Sequence, residues 1–351
     1  MSESVPGINF ETLTPWFREH VAPVGELRAE VIGHGRSNIT YRLTADGQEW
    51  VLRRPPLSHV LPTAHDMKRE FRVISAMKGT RVPAPGTVAL CEDPAVNGAP
   101  FYIMEFVDGY IPLDPADVAL RYDEAARRHM GEHLVDVLAE LHSLDPASVG
   151  LADFGKPQGF IARQVRRFTE QIETAVTRDV PELRELSRRL SASIPAVSDA
   201  TIVHGDYRLD NAIMDERGDV IAVLDWEMAT LGDPLADMGV MHMYWGDAAT
   251  AGTPQQAGVA STAVIALPGF PTWEQALARY AAKSGRNVDH LDFYIVLAHF
   301  KLAVILEGIR ERFEEGGTVG VGFEGMAARA TGLAKAGLRV ADASSVPALR
   351  G

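Results

Sequence analysis

The chain has 351 residues, 46% hydrophobic and 23% charged, a composition typical of folded globular proteins and unlike that of disordered ones. Its 34 Lys and Arg residues stand against 47 Asp and Glu residues, which gives a net charge of −13. This excess of carboxylates repels phosphate backbones and argues against nucleic acid as a partner. The single cysteine, Cys91, excludes an internal disulfide framework and a cysteine-based zinc site, and favours a reducing, cytoplasmic setting.

No targeting or membrane segment is predicted. Residues 1–7 lack a basic region followed by an apolar core, so no secretory signal is expected. The longest apolar stretch, residues 294–306, is interrupted by His299 and Lys301 and is too short, because a spanning helix needs about 20 apolar residues. We expect a buried helix there and no membrane partner.

The N-terminal third of the chain is mainly strand-like, with one helix inserted. Two runs of alternating residues flank the dipeptide Asp46-Gly47, which is typical of a tight hairpin. Apolar residues at helical spacing predict a helix over residues 64–77. The expected strands cover residues 30–33, 39–43, 49–53, 87–91 and 101–106.

The remainder of the chain is mainly helical. A long amphipathic helix is predicted over residues 122–143. Thr272 and Gln275 form a capping-box pattern at the start of another helix, which Gly285 could close. Residues 248–263 are small and polar and predict a mobile loop. Further helices are expected at 160–177, 181–193, 289–313 and 325–338, and short strands at 201–203 and 220–224.

The residues that carry chemistry lie in two nearby segments. A predicted strand leads into His204-Gly-Asp206, four residues later comes Asn211, and a second apolar strand leads to Asp225. This order matches the catalytic template of protein kinases. Phosphoryl transfer needs a carboxylate to accept the proton of the attacking hydroxyl, and Mg²⁺ needs hard oxygen ligands. We therefore predict Asp206 as the catalytic residue, and Asn211 and Asp225 as metal ligands.

The same residues resemble the signature of a known family. His204-Gly-Asp206, Asn211 and Leu224-Asp-Trp-Glu227 look like the motifs of the aminoglycoside phosphotransferase and choline kinase family, small-molecule kinases with a protein-kinase-like fold. Within it the chain most resembles the branch that includes the kinase-like domain fused to some acyl-CoA dehydrogenases. The resemblance covers roughly residues 25–310. It implies an α+β, two-lobed fold, with a small antiparallel β lobe carrying one helix and a larger, mainly helical lobe.

The resemblance also implies ATP and Mg²⁺ as cofactors. Gly33, Gly35 and Ser37 would form the loop that covers the phosphates, because glycine lets backbone N–H groups approach closely. This loop lacks a third glycine, so a plain hairpin turn is the alternative. Arg53 stands where most of these kinases have lysine; it would bind phosphate and pair with Glu70, unless Glu70 lies on a solvated helix face.

Adenine recognition is implied for the connection between the lobes. The carbonyl of Glu105 and the amide of Val107 would face the base, with Met104 behind it, although a buried edge strand explains these residues equally well. By the same resemblance, Asp237 would accept N–H bonds from the catalytic loop, with a helix cap as the alternative. His204 is expected to be structural.

The expected activity is transfer of the γ-phosphoryl group of ATP to a hydroxyl of a small molecule, either an aminoglycoside-like antibiotic or a hydroxyacyl-type metabolite. Arg53 and the incomplete glycine loop leave a nucleotide-binding pseudokinase as the alternative. A metal-dependent hydrolase is disfavoured, because the sequence shows no matching cluster of histidine ligands. The expected divisions are an N-terminal extension (1–24), a nucleotide-binding N-lobe (25–107), a catalytic and acceptor-binding C-lobe (108–340) and a C-terminal tail (341–351). The acceptor, the choice between ATP and GTP, and the oligomeric state stay open.

Overall fold

A computed structural model describes residues 5–32, 38–57, 65–175, 177–196, 200–245, 260–314 and 325–351. The chain divides into two compact units. The small unit consists of Met1–Gly109 and Ile221–Ala229, and the larger unit of Tyr110–Val220 and Thr230–Gly351. In the part of the chain described, no helix is both long enough and apolar enough to cross a membrane.

The small unit contains a five-stranded antiparallel sheet in the order β1-β2-β3-β5-β4. Its strands are β1 (Arg28–Ile32), β2 (Ile39–Ala45), β3 (Gln48–Arg54), β4 (Thr87–Cys91) and β5 (Phe101–Glu105). Its helices are α1 (Phe10–His20), α2 (Met67–Ala76) and the short α3 (Pro94–Asn97). The mixed α+β character and the antiparallel small lobe are as predicted, but two helices accompany the expected α2.

The hairpin between β2 and β3 confirms the prediction from its Asp-Gly pair. Ala45 and Gln48 are partners in the ladder, so the turn consists of two residues, Asp46 and Gly47. Their φ angles are 50° and 76°. Both central residues of a type I′ turn need positive φ, which Asp tolerates and Gly adopts freely. This turn fixes the register of β3 and hence which face carries each of its side chains.

Helix α1 belongs to the core of the small unit, a contribution that the sequence analysis does not predict. Leu13 and Phe17 lie on one face of α1 and are fully buried. They join the cluster that includes Tyr41, Leu52 and Phe101 of the sheet. The residues expected to form an N-terminal extension thus supply part of the packing that supports β3.

The larger unit is mainly helical. Its helices are α4 (Pro115–Arg121), α5 (Glu124–Ser143), α6 (Phe160–Ala175), α7 (Pro181–Ala192), α8 (Leu235–Trp245), α9 (Ala260–Ile265), α10 (Trp273–Ser284), α11 (Leu291–Glu314), α12 (Met326–Ala343) and α13 (Pro347–Arg350). The strands β6 (Thr201–Val203) and β9 (Thr230–Gly232) pair antiparallel. The strand β7 (Ala212–Met214) follows the loop of residues 204–211, and β8 (Val220–Val223) leads into the second segment of the small unit.

Helix α11 is the centre of the larger unit's packing. Phe293, Val296 and Phe300 are almost fully buried on it, which confirms the buried helix expected from the apolar stretch. Helix α8 crosses it closely at Gly239, where a Cβ atom would lie 2.3 Å from the backbone oxygen of Tyr294. A side chain would not fit there without moving a backbone, so glycine sets this crossing. The crossing positions the start of α8, which carries Asp237.

Two helix ends follow their predicted signals, and two segments differ from expectation. Thr272 caps α10 through the predicted capping box, and Gly285 ends it in the left-handed conformation. Residues 248–259 of the expected mobile loop lie outside the described part, but its last residues begin helix α9. The expected C-terminal tail is helical in part, and its Leu349 is fully buried.

Candidate active site

The loop that follows β6 is anchored by a buried carboxylate from α8. The backbone N–H of His204 donates to Oδ2 of Asp237, and the N–H of Gly205 donates to Oδ1, both over 2.7 Å. Asp237 is fully buried. The predicted role of Asp237 as acceptor for the loop is therefore confirmed. Because one rigid side chain accepts both backbone N–H bonds, the loop is held in place directly before Asp206.

A buried histidine supports Asp237 from behind. Nε2 of His142 donates to Oδ2 of Asp237 over 3.1 Å, and its Nδ1 accepts from the hydroxyl of Tyr280 over 2.7 Å. Burial alone would raise the pKa of Asp237, but the hydrogen bond from His142 and the charges nearby lower it below the usual value. Burial lowers the pKa of His142. The anchor is thus an ionised carboxylate within a fully hydrogen-bonded network.

Asp206 and Asn211 contact each other directly. Nδ2 of Asn211 donates to the backbone oxygen of Asp206 over 2.9 Å and to its Oδ2 over 3.1 Å. The amide nitrogen is used in this way, so the amide oxygen is the atom of Asn211 suited to a metal ion. The backbone N–H of Asp206 donates to Nδ1 of His204 over 3.3 Å, in keeping with the structural role expected for that histidine. These contacts fix the orientation of the Asp206 carboxylate.

One cation of the larger unit, Arg208, was given no role by the sequence analysis but contacts Asp206 directly. Arg208 donates through Nε to Oδ2 of Asp206 over 3.1 Å and through Nη1 to Asp210 over 2.5 Å. Its guanidinium lies over the ring of Tyr244, 5.1 Å from the ring centre. Burial lowers the pKa of Lys301 on α11, against the opposing effect of nearby carboxylates that include Asp206. The only sequence signal for Arg208 was its place two residues after Asp206, the predicted catalytic residue.

The small unit holds a separate charged cluster around Arg53, on β3. Nε of Arg53 lies 3.0 Å from Oε1 of Glu70, and Nη2 donates to Oδ1 of Asp225 over 2.5 Å. Oε2 of Glu227 lies 3.6 Å from Nη2 of Arg53. The predicted pairing of Arg53 with Glu70 is confirmed, and the alternative of a solvated helix face is wrong because Glu70 is only 2% exposed. Arg54 turns to the other side of the sheet and binds the backbone oxygen of Asn97.

The backbone at Asp225 explains how two carboxylates reach Arg53. Asp225 has φ 64° and ψ 58°, the left-handed conformation that is costly for residues other than glycine. A short 3-10 helix, Trp226–Met228, follows immediately. Trp226 is buried and donates to the backbone oxygen of Val223 over 2.9 Å, which holds the turn. The turn places Asp225 and Glu227 on the same side, next to the guanidinium.

Asn38 connects the carboxylates of this cluster. Its Nδ2 donates to Glu227 over 3.0 Å and more weakly to Glu70 over 3.4 Å. Its Oδ1 accepts from Nδ1 of His65 over 2.8 Å. The only sequence observation about Asn38 was its position next to the incomplete glycine loop. In the structure it is buried and contributes a neutral donor to a set of carboxylates.

The electrostatics of the Arg53 cluster, formed by Arg53, Glu70, Asp225, Glu227 and Asn38, favour an additional cation. One guanidinium faces three carboxylates. Burial raises the pKa of Glu70 to about 7, more than the charge of Arg53 lowers it. The neighbouring carboxylates raise the pKa of Arg53, although burial opposes this. Hard carboxylate oxygens in surplus over positive charge form a donor set that fits Mg²⁺.

The remaining predicted nucleotide contacts have different outcomes. Gly33, Gly35 and Ser37 lie outside the described residues. Met104 is buried, Glu105 is exposed and Val107 is half-buried. Strand β5 lies between β3 and β4, so the alternative of an edge strand for this segment is wrong. The proposed contacts of these six residues with nucleotide stay predictions.

Comparison with known proteins settles the family. The sequence model of the phosphotransferase enzyme family, APH, matches residues 28–278. The chain belongs to this phosphotransferase family. The predicted resemblance is confirmed, and the enzyme class is that of a small-molecule kinase.

This phosphotransferase is also similar to individual proteins of known sequence or structure. It is 37% identical over 281 residues to mouse acyl-CoA dehydrogenase family member 10, covering 80% of this chain and 26% of that protein. The chain thus spans about a quarter of this relative, and 41% of the length of human family member 11. A crystal structure of a candidate aminoglycoside phosphotransferase from Ralstonia eutropha is 33% identical, with a TM-score of 0.81 over 96% of this chain and 99% of that one.

A more distant solved structure shares the fold alone. Aminoglycoside phosphotransferase APH(4)-Ia, in a ternary complex with ADP and hygromycin B, is 15% identical with a TM-score of 0.60. The similarity covers 94% of this phosphotransferase and 98% of that chain. The predicted kinase-like fold class is confirmed by these neighbours.

Proposed function

We propose that this phosphotransferase transfers the γ-phosphoryl group of ATP to a hydroxyl of a small-molecule acceptor. The observation that carries the proposal is the anchored loop of the larger unit. It presents the Asp206 carboxylate, oriented by Asn211 and held through Asp237. Nucleotide complexes among the structural neighbours support ATP as the donor. A pseudokinase is not favoured, because the residues expected for catalysis are present and ordered.

Asp206 is proposed to accept a hydrogen bond from the acceptor hydroxyl and to take up its proton as the phosphoryl group is transferred. Phosphoryl transfer requires little covalent chemistry from a protein, so the main contribution is the position of the nucleophile. The bonds from Asn211 and Arg208 to Oδ2 of Asp206 restrict the rotation of the carboxylate. This restriction lowers the cost of placing the hydroxyl in line.

Asn211 and Asp225 are proposed to hold Mg²⁺. The amide oxygen of Asn211 and the carboxylate of Asp225 are ligands of the type that Mg²⁺ prefers. When bound, Mg²⁺ neutralises charge that develops on phosphate oxygens. Asp225 already pairs with Arg53 through Oδ1. We propose that its carboxylate exchanges or shares this partner when nucleotide arrives.

Arg53 is proposed to take the role that lysine has in most related kinases. A guanidinium carries several N–H donors in one plane, so it can keep its contact with Glu70 and also bind a phosphate oxygen. The ion pair with Glu70 fixes the direction of the Arg53 side chain. The glycine loop, with Gly33, Gly35 and Ser37, and the Met104, Glu105 and Val107 segment are proposed to contact phosphates and adenine.

For the acceptor, we favour a hydroxyacyl-type metabolite over an aminoglycoside-like antibiotic. The relative with 37% identity is an acyl-CoA dehydrogenase family member, whose name points to acyl thioester chemistry. The charges around Asp206 do not decide between the two classes, because Arg208 is paired there with both Asp206 and Asp210.

An assay of ATP consumption against separate pools of hydroxyacyl-CoA esters, amino alcohols and aminoglycosides tests the proposal. We expect Mg²⁺-dependent release of ADP with one pool, together with a phosphorylated product in the mass spectrum. The exposed Glu173 provides a matched control, since Glu173→Gln removes a carboxylate of the same unit without touching the loop. Nucleotide binding without turnover in every pool would instead support a regulatory module. Turnover only with aminoglycosides would overturn the choice of acceptor.

A further inference from the structure

Helix α5 carries two histidines that the proposed kinase activity does not use. His129 and His133 are one helical turn apart, and Asp219, in the turn between β7 and β8, lies against both. One ligand atom from each of the three residues can be chosen so that all lie within 4.8 Å of one another. We propose that His129, His133 and Asp219 form a binding site for one divalent transition-metal ion of the zinc class.

The ligand types and distances fit such an ion. Nε2 of His129 lies 2.7 Å from Oδ1 of Asp219, and Nδ1 of His133 lies 3.4 Å from the same oxygen. Ligands of a tetrahedral Zn²⁺ are separated by roughly 3.4 Å when each lies about 2.0–2.1 Å from the metal. The two imidazole rings stack with their centres 5.6 Å apart, as two histidines at i and i+4 on one helix do. Small side-chain movements are enough to bring three ligands around one ion.

The backbone that carries Asp219 is built in advance. The carboxylate of Asp215 accepts N–H bonds from Arg217 and Asp219 over 2.8 and 2.9 Å, which closes the turn. Gly218 has φ 85° and lies so close to α5 that a Cβ atom would be 3.0 Å from the backbone oxygen of Ala126. The turn is therefore pressed against the helix that bears both histidines. Binding does not require a loop to be ordered first.

A neighbouring cation orients the carboxylate. Nη2 of Arg217 lies 2.6 Å from Oδ2 of Asp219, while Oδ1 faces the imidazoles. Groups that hold the second oxygen of a ligand in this way fix the geometry of many metal sites. His129 is half exposed, so water can complete the coordination. The residues supply three ligands and leave at least one position to solvent.

Two existing hydrogen bonds must change when the metal binds. Nε2 of His129 donates to Oδ1 of Asp219 over 2.7 Å, and the metal would take the place of this proton. The backbone N–H of Val220 donates to Nδ1 of His133 over 2.9 Å. This nitrogen faces Asp219, so a metal ion on it replaces the hydrogen bond. The Val220 amide is thus a local reporter of occupancy.

The sequence carries a local signal for this site. The spacing His129-x3-His133 on a predicted helix is the usual arrangement of two histidine ligands on one face. The third ligand comes from a turn 86 positions after His133 in the chain, which no local pattern shows. The proposed ion would connect α5 to the turn between β7 and β8.

Titration of the metal-free full-length chain with Zn²⁺ in the presence of excess Mg²⁺ tests the site. We expect one equivalent of Zn²⁺ to bind, with a change in the chemical shift of the Val220 amide and a rise in the melting temperature. The variant below distinguishes this site from any other site that takes up Zn²⁺. Co²⁺ in place of Zn²⁺ should give the visible absorption of a nitrogen- and oxygen-ligated ion.

His129→Gln is the decisive variant, because His129 is exposed and its loss should leave the fold intact. We expect at least a tenfold loss of Zn²⁺ affinity in this variant and unchanged affinity in His290→Gln, which alters an exposed histidine of the same unit. The metal-free melting temperature of His129→Gln confirms that it folds. No saturable binding by the wild type, or equal affinity in His129→Gln, would overturn the proposal. Kinase activity is not the readout, so these outcomes are independent of the proposed function.

Discussion

The Asp206 loop of the larger unit and the Arg53 cluster of the small unit both concentrate carboxylates, but they are stabilised in different ways. Asp237 holds the loop through directional bonds to two backbone N–H groups, within a fully buried network. In the Arg53 cluster, a single guanidinium balances three carboxylates, assisted by the amide of Asn38. The first arrangement is set by geometry and the second by charge. We infer that the loop is rigid before ligands arrive, whereas the cluster responds to any cation that joins it.

The largest expected effect is on catalysis and concerns the loop. Asp206→Asn keeps the shape of the side chain but removes its ability to accept a proton, so kcat should fall by about 10²–10⁴-fold. Nucleotide affinity should change little, because the proposed base contacts the acceptor. Single-turnover kinetics and calorimetric titration with ATP measure the two quantities.

Glu173→Gln is the control for Asp206→Asn and should retain full activity. An equal loss of nucleotide affinity and turnover in Asp206→Asn would show that Asp206 supports the fold of the site instead. In that case the comparison between a rigid loop and a responsive cluster would no longer hold.

The next effect is on stability and concerns the cluster. Arg53→Met leaves Glu70 buried without its counter-charge, which should lower the free energy of unfolding by about 3 kcal/mol. Arg53→Lys should recover part of this loss, because it restores a charge but not the planar set of donors. Chemical denaturation measures both variants. Arg28→Met, which removes an exposed arginine from β1, should change stability by less than about 1 kcal/mol.

If Arg53→Met were as stable as the wild type, the cluster would not depend on charge balance. Its stability would then have to come from packing around the buried Glu70.

A smaller effect is expected when the anchor of the loop is changed. In Asp237→Asn, one of the two oxygen acceptors becomes a donor, so either His204 or Gly205 loses its bond. A buried N–H without a partner costs about 1–3 kcal/mol. As a positioning residue, Asp237 should affect kcat by roughly tenfold with little change in the KM for ATP.

Asp237→Glu serves as the companion variant, since it keeps both acceptors but moves them. A change in KM for ATP that matches the change in kcat would show general misfolding. A kcat of wild-type size would show that the loop needs no anchor.

The smallest effect is a pH dependence in the cluster. The folded protein raises the pKa of Glu70 from 4.5 to about 7, so the folded state holds this proton over a range where the unfolded state releases it. The contribution of Glu70 to stability is therefore fully present below pH 4.5 and is lost as pH rises through about 7. Glu70→Gln removes the titrating group, and its melting temperature should fall less than that of the wild type between pH 5 and pH 7.5.

The exposed Glu19 supplies the control for this measurement. Glu19→Gln should reproduce the wild-type pH profile. If Glu70→Gln shows the same slope as the wild type, another group is responsible for the pH dependence.

Much of the fold follows from local patterns, because the forces that set them act between neighbours. The Asp46-Gly47 turn and the Thr272 capping box depend on residues within four positions of each other. The pairing of Arg53 with Glu70 and the anchor at Asp237 came from the family resemblance, since the partners lie on separate elements. In each case the predicted residues contact as expected.

The rest depends on contacts between distant positions, which a single sequence does not encode locally. The bond from Arg53 to Asp225 joins residues 172 positions apart. The contact by which Arg208 orients Asp206 depends on the path of the loop, which the sequence alone does not show. Helix α1 was not predicted to belong to the core, because the burial of its apolar residues Leu13 and Phe17 depends on the sheet that packs against them.

The path of the chain has a practical consequence for dissecting this kinase. The small unit includes Ile221–Ala229, a segment that lies far along the sequence from its other residues. Val223 of that segment donates to the backbone oxygen of Pro83 over 2.9 Å, and Arg69 reaches the backbone oxygen of Ala229. A fragment ending at Gly109 would therefore keep Arg53 but lose two of its three acidic neighbours. Lobe swaps and split versions of the enzyme should keep residues 221–229 together with residues 1–109.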